Sequence, residues 1–289
     1  KTRQVDKVIA LVRDTKKADE IFQQAAGCLQ IVSLPDYHMS TGCLGNVDTV
    51  VHCAAAREPE GRQAIAESLA FSQQLISDCA LFQIPKFINV SSQSVYGLSR
   101  PPLWHETTVP APETAYAMAK LASECMVGAL TQMSPTSLGT SIRLARLYGA
   151  AEGMRWSEVP HRFALQAVRG EEIQIVGGFQ RFDLIHIEDA VDAIVRVVGA
   201  DQKNWNPVYN LGCGGSFGIT EIAEAAIQSA RKMGFDKSWI NLQAEANQME
   251  FGMNTDRFCT DFAWKPLISL TAAMDGIVQG AVEYADSGK

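Results

Sequence analysis

The chain has 289 residues, and its 25 lysines and arginines against 32 aspartates and glutamates give a net charge of −7. Hydrophobic residues make up 47% and charged residues 20%, proportions that exclude wholesale disorder and collagen-like order. No apolar run is long enough to cross a bilayer, no secretory signal opens the chain, and the scattered basic residues leave no electrostatic footprint for nucleic acid or an anionic membrane.

A small-molecule partner and a cytoplasmic location are therefore expected. The cysteines (Cys28, Cys43, Cys53, Cys79, Cys125, Cys213 and Cys259) are odd in number and never spaced as Cys-x-x-Cys, which suggests reduced thiols and no metal site.

In chain order, short β-branched runs at Val8–Val12, Leu29–Val32, Thr49–Cys53 and Phe87–Val90 are separated by helix-sized segments, the pattern of parallel strands covered on both faces. Gly61 to Leu81 carries Ile65, Leu69, Leu75 and Ile76 at helical spacing, and Ala115 to Leu130 is a second helix-forming stretch. A further run, Ser141–Tyr148, is expected to close the sheet. The fold class is thus α/β, a doubly wound parallel sheet of the Rossmann type over residues 1–148. From Gly149 the pattern loosens into strands at Ile173–Val176, Leu184–Ile187 and Val208–Leu211. Residues 149–289 read as a smaller substrate lobe of α/β type, some of whose elements return to the first domain. Thr220 is placed to cap a helix after Ile219, and Gly234 to stop it.

Tyr116 and Lys120 stand at i and i+4 on the second helix, so phenol and ammonium share one face. A phenol ionises near ~10, and a neighbouring cation such as Lys120 would favour the phenolate needed for acid/base work. Upstream, Asn89-Val-Ser-Ser-Gln-Ser-Val-Tyr-Gly97 ends a buried strand in hydroxyls, at the sheet edge where open α/β folds bind ligands. Each motif has a bland alternative: a chance Tyr–Lys pair, or serines that only start a loop. His52 and His186 read as satisfied core histidines. Gly212–Gly218 lacks the Lys-Ser/Thr ending of a phosphate loop.

Together and in this order, the hydroxyl-tipped strand, the Pro-rich loop with Glu106 and the Tyr-x-x-x-Lys helix resemble the extended short-chain dehydrogenase/reductases, the NAD-dependent epimerase/dehydratase superfamily. The resemblance continues in Asp48–Ala56, Arg143–Gly149, Asp183–Asp189 and Phe262–Pro266. It implies Tyr116 as acid/base, Lys120 as its activator and holder of the nicotinamide ribose, and Ser92, three residues before Val95, as the group that orients the reacting oxygen. Arg13, Asp14, Ala54, Ala55 and Ala56 would join Tyr116 and Lys120 in holding NAD or NADP, with Arg13 tilting the choice towards NADP. Ser92, Gln93, Ser94, Arg146 and Arg181 would contact substrate. The implied reaction is hydride transfer at a secondary alcohol or ketone of a sugar or sugar nucleotide, in a homodimer joined through the two long helices by residues such as Leu75, Leu81, Met126 and Leu130.

The chain departs from the family in three places. The opening strand with its G-x-x-G-x-x-G turn is not found. In the strand order 3-2-1-4-5-6 that strand would lie between Val8–Val12 and Val50–Cys53, so roughly 20–30 further residues are expected before Lys1 in the natural protein. Phe182 and Arg146 stand where sugar-nucleotide epimerases usually have Arg and Asn, leaving Arg181, Arg146 or Arg155 to meet a diphosphate. Ser68 stands near the place of a family Asn. Two alternatives stay open: a catalytically silent binding or scaffold protein of this fold, favoured if Val8–Val12 pairs directly with Val50–Cys53, and a reductase of non-sugar ketones.

Overall fold

The computed structural model describes residues 6–22, 27–98, 102–151, 153–243, 245 and 249–286. Its first half alternates β1 (Val8–Val12), α1 (Thr15–Ile21), β2 (Leu29–Ser33), α2 (Leu34–Met39), β3 (Thr49–His52), α3 (Gly61–Leu81), β4 (Lys86–Ser92), α4 (Ala115–Met133) and β5 (Leu138–Leu144). There follow β6 (Arg146–Tyr148), α5 (Val159–Arg169), β7 (Glu172–Val176), β8 (Arg181–Phe182), β9 (Leu184–His186), α6 (Ile187–Gly199), β10 (Val208–Leu211), β11 (Phe217–Gly218), α7 (Ile219–Lys232), β12 (Trp239–Gln243), α8 (Asp256–Asp261) and α9 (Leu270–Asp286).

The central sheet is parallel throughout, in the order β10-β5-β4-β3, and β1 and β2 form a separate parallel pair. Among the described residues no ladder joins β1 to β3, so the direct pairing that would favour the scaffold reading is not found. The run Ser141–Tyr148 does not close the sheet. It breaks at Ala145, whose N–H donates to Leu211 O at 2.8 Å, and β6 turns away to pair with β9 while β10 takes the outer place beside β5.

Strand parity sets the two faces of this sheet. On β4, Phe87 packs with Leu75, Ile76, Val127 and Leu130 beneath α3 and α4, whereas Ile88 packs with Ile142, Ala190, Tyr209 and Phe258 beneath α6 and α8. Full burial of each such side chain contributes about 1.5–3 kcal/mol before the entropy of ordering is counted. A third cluster, built on Phe163, Ile222, Met274 and Ile277, is shared by α5, α7 and α9.

Three local expectations are corrected. The N-cap of α7 lies two residues before the expected one: it is Gly218, and Glu221 reaches back to the Gly218 N–H at 3.2 Å, leaving Thr220 inside the first turn. His186 ends its strand, and its Nδ1 caps α6 by accepting from Glu188 N at 3.3 Å. Of the residues expected on a dimer surface, Leu75 and Leu130 lie inside this chain's own core at 5% and 0% exposure. Leu81, Met118 and Met133 are the exposed apolar side chains of α3 and α4.

Gly97 fixes the loop that follows β4. Its φ of +71° suits glycine, and an added Cβ would overlap the carbonyl oxygen of Ala111, whose N–H is itself bonded to Val95 O at 2.9 Å. Gly97→Ala is expected to lower stability by about 2–4 kcal/mol in urea unfolding, with no change in the slope of the transition.

Candidate active site

The carboxyl ends of β3 and β4 meet the first turns of α4. β4 stops at Ser92 because its Oγ accepts from Ser94 N at 3.2 Å and starts a short 3-10 turn, Gln93–Tyr96. Ser94 Oγ donates to Ser92 Oγ at 2.9 Å, so the Ser92 proton is left to donate onward, and the Ser92 side chain lies near enough to the Tyr116 phenol to favour its ionised form. Ser91, one residue earlier, faces the other way: its hydroxyl is buried and donates to Glu124 Oε1 at 2.5 Å.

Tyr116 owes its place to the start of α4. Thr114 Oγ1 accepts from Ala117 N at 3.2 Å, and Glu58 Oε1, from the turn after β3, accepts from Tyr116 N at 2.9 Å. One turn on, Lys120 is only 6% exposed; its Nζ donates to Val90 O at 2.6 Å and stands 5.9 Å from the centre of the Tyr116 ring.

Burial pushes the Tyr116 phenol above its ordinary value, while the hydrogen bond with Ser92 and the charge of Arg57 pull it back. Burial also pushes Lys120 down to about 8, against the pull of Cys53 and Glu124 and with Arg57 adding to the fall. Arg57 adds a charge that favours the phenolate, and the Lys120 ammonium donates to the Val90 carbonyl.

Ala54, Ala55 and Ala56, at the end of β3, line one small cavity with Tyr116 and Lys120. His52 and Ser72 close its floor, Nε2 to Oγ at 2.8 Å, and burial drives His52 down to about 4, so its ring is neutral near pH 7. Ser68 also lines this cavity and spends its hydroxyl on Ile65 O at 3.0 Å.

Asp14 caps α1 by accepting from Lys17 N at 3.1 Å. The Arg13 guanidinium lies 3.8 Å from Glu60, on the turn that carries Arg57 and Glu58. This edge suits a dinucleotide: small side chains at the strand end, a carboxylate after β1, and a buried ammonium with one donor used on Val90 O and the rest directed to whatever fills the cavity.

The expected substrate contacts do not all converge. Ser92 stands at the phenol, and Ser94 is bonded to Ser92. Arg146 lies 3.7 Å from Glu158, which in turn is 3.8 Å from Arg57, so Glu158 links Arg146 to the turn that carries Arg57; the Arg146 guanidinium covers the ring of Phe182 at 5.5 Å. Gln93 is buried beneath the turn. Arg181 is committed to Ser216, through Nε to Oγ at 2.9 Å and Nη2 to the carbonyl oxygen at 2.5 Å. Sequence reading passed over Arg57, Glu58 and Glu124. The available signal was position: Arg57 and Glu58 directly follow Ala54–Ala56, and Glu124 is one turn past Lys120 on the same face.

Residues 2–212 match the family model described as the NAD dependent epimerase/dehydratase family. The dTDP-glucose 4,6-dehydratase of Streptomyces niveus is 23% identical over 250 residues, covering 83% of this chain and 70% of that protein. Two solved structures share the fold at 20% identity. One is the UDP-glucuronic acid 4-epimerase from Bacillus cereus in complex with NAD, with a TM-score of 0.79 over 96% of this chain and 88% of that one. The other is the UDP-glucose 4-epimerase from Thermotoga maritima with UDP-glucose, with a TM-score of 0.80 over 96% and 92%. With the family matched over most of its length on a Rossmann-type parallel sheet, the chain belongs to the NAD-dependent epimerase/dehydratase family and is an enzyme of that type.

Proposed function

We propose that this protein moves a hydride at a secondary hydroxyl or ketone of a sugar nucleotide, with Ser92, Tyr116 and Lys120 as its catalytic residues and NAD as its cofactor. The observation that carries the reading is the meeting of Ser92, its proton left free by Ser94, with the Tyr116 phenol at the carboxyl end of β4, with Lys120 buried behind it. NAD, when bound, supplies the hydride acceptor.

The protein's part is the proton. Tyr116 as phenolate takes the proton of the substrate hydroxyl and returns it in the reverse direction, and Ser92 donates to the reacting oxygen to hold it in line. Lys120 offers its remaining N–H donors to the nicotinamide ribose, Ala54–Ala56 let the dinucleotide approach the backbone, and Asp14 accepts from the adenosine ribose. The Arg13–Glu60 approach at 3.8 Å and the NAD held by the Bacillus cereus relative favour NAD over NADP.

On the substrate side, Ser92, Ser94 and Arg146 make the contacts, and Arg181 does so once released from Ser216. The sugar nucleotides in the names of the relatives support this class. In this reading residues 1–148 carry the cofactor and 149–289 chiefly the substrate. The protein works as a cytoplasmic homodimer, with the exposed Leu81, Met118 and Met133 of α3 and α4 at the contact.

Product analysis over a panel of UDP- and dTDP-hexoses with NAD tests the reaction. Tyr116→Phe keeps the ring and removes the proton carrier, so turnover is expected to fall by at least roughly a hundredfold with stability unchanged. Undiminished turnover would sink the assignment. Ser92→Ala is expected to cost far more turnover than Ser91→Ala. In unfolding the order reverses, because Ser91→Ala removes a buried donor from Glu124 and costs about 1–3 kcal/mol.

A second expectation follows from Lys120. Its folded-state value lies below the ordinary one, so the ammonium is present below about 8 and is lost as pH rises through that value. NAD affinity, followed by fluorescence titration, is expected to weaken at least roughly threefold between about pH 7 and about pH 9.5, and in Lys120→Met to be weak throughout.

A further inference from the structure

Behind the catalytic side chains lies an ion pair with no place in the proton transfer itself. Glu124 and Arg143 are 8% and 4% exposed. Arg143 Nε donates to Glu124 Oε1 at 3.1 Å and Oε2 at 3.2 Å, and Nη2 donates to Oε2 at 2.8 Å. The carboxylate also accepts from Ser91 Oγ at 2.5 Å. The guanidinium continues from Nη1 to the Tyr96 hydroxyl at 2.9 Å, and Tyr96 donates to Asn210 Oδ1 at 2.7 Å. Every partner is in a different element: Glu124 on α4, Ser91 on β4, Arg143 on β5, Asn210 on β10.

A buried ion pair adds little net stability over apolar residues of the same volume, because desolvation offsets most of the attraction. What it adds is direction. α4 also meets this sheet through single hydrogen bonds, Lys120 Nζ to Val90 O at 2.6 Å and Asn89 Nδ2 to Ser123 Oγ at 3.1 Å, and through apolar side chains such as Val127 and Leu130, contacts that tolerate small axial slips more readily than a two-point pair. Glu124 is bonded at both oxygens and tolerates none. It stands one turn beyond Lys120 and two beyond Tyr116, on the same face, so its tether fixes how far along the strand both groups lie.

We infer that Glu124 and Arg143 are positioning residues for the reaction: they lock the axial register of α4 on β4 and β5, and so hold Tyr116 and Lys120 opposite Ser92. The inference rests on the proton-transfer reading above. A displacement of about 1 Å at a reacting group can cost on the order of a hundredfold in rate, so a register lock has a large kinetic consequence at small cost in stability.

The test replaces the pair by apolar residues of similar size. Glu124→Leu with Arg143→Met leaves no unpaired buried charge. It is expected to unfold within a few degrees of the parent, to bind NAD and substrate with constants changed less than roughly threefold, and to lose kcat by roughly tenfold or more. Arg143→Lys keeps the charge balance but loses the two-point geometry, and is expected to lose kcat by roughly threefold or more. It decides the matter if the double variant fails to fold. A merely structural role predicts the opposite split, with kcat intact in whatever fraction folds, and that result overturns the inference. Tyr116→Phe is run alongside. Full turnover in that variant overturns the proton-transfer reading and the inference with it, whereas an inactive Tyr116→Phe beside a fully active pair variant overturns the positioning role alone.

Discussion

Consecutive residues at the end of β4 meet residues one turn apart on α4, and this register is the constraint on which the site depends. Val90 O takes Lys120 Nζ at 2.6 Å, Ser91 Oγ meets Glu124 at 2.5 Å, and Ser92 lies beside the Tyr116 phenol. The contacts end where the strand stops. Ser92 caps the 3-10 turn instead of continuing the ladder, and the helix has just begun under the caps of Thr114 and Glu58.

The electrostatics of the site follow from how deeply that register buries its charges. Lys120 is sealed among Val90, His52 and the alanines that follow β3, and burial lowers its proton affinity. The stabilising charge on Tyr116 comes from Arg57, which is half exposed and held by Glu158. The two cations thus act differently. Arg57 biases the phenol from the open side of the cleft, where solvent and ligand can screen it. Lys120 is a buried donor whose hydrogen bonds matter more than its field. Glu158 stands between Arg57 and Arg146, so an anionic ligand in this cleft meets both guanidiniums only by competing with a resident carboxylate.

What could be read from the sequence is what depends on local spacing. The i, i+4 relation of Tyr116 and Lys120, the hydroxyls at the end of a buried strand, the extent of α3 and the strand at Val8–Val12 all follow from residues close in the chain. Parity also carried more than was taken from it. Phe87 and Asn89 face α4, so Ser91 must too, and Ser92 must differ from it. What stayed hidden depends on distant partners. The Arg57–Glu158–Arg146 chain spans about a hundred residues, a separation that periodicity cannot see. The break at Ala145 is invisible in an unbroken apolar run, because it is decided by β9 competing with the sheet for the next strand. The N-cap of α7 went to Gly218, whose backbone N–H is paired with Glu221, where propensity alone favours the hydroxyl of Thr220.

The same buried polar chain that sets α4 also reaches the segments after Gly149. Asn210 receives the Tyr96 hydroxyl and donates its own amide to Trp104 O at 3.0 Å and Asn254 O at 3.1 Å, which joins the loop after Gly97 to the strand-like stretch before α8. Asp183 does the corresponding work one layer out. Its carboxylate accepts from Cys213 N at 3.0 Å and Met253 N at 3.1 Å, and Gly212 is the one residue type that fits, since a Cβ there would come within 2.6 Å of both carboxylate oxygens. Burial raises Asp183 to about 6, and the Cys213 and Met253 N–H groups and the Cys213 side chain hold its ionised form against that desolvation cost. Apolar clusters fill the space on both sides of these links but do not specify how the elements meet across the cleft. The polar chain does, because each of its bonds has a direction and a length. The position of the catalytic helix and that of the loops facing it are consequently set by one connected set of hydrogen bonds running from Ser91 through Arg143 and Asn210 to Asn254.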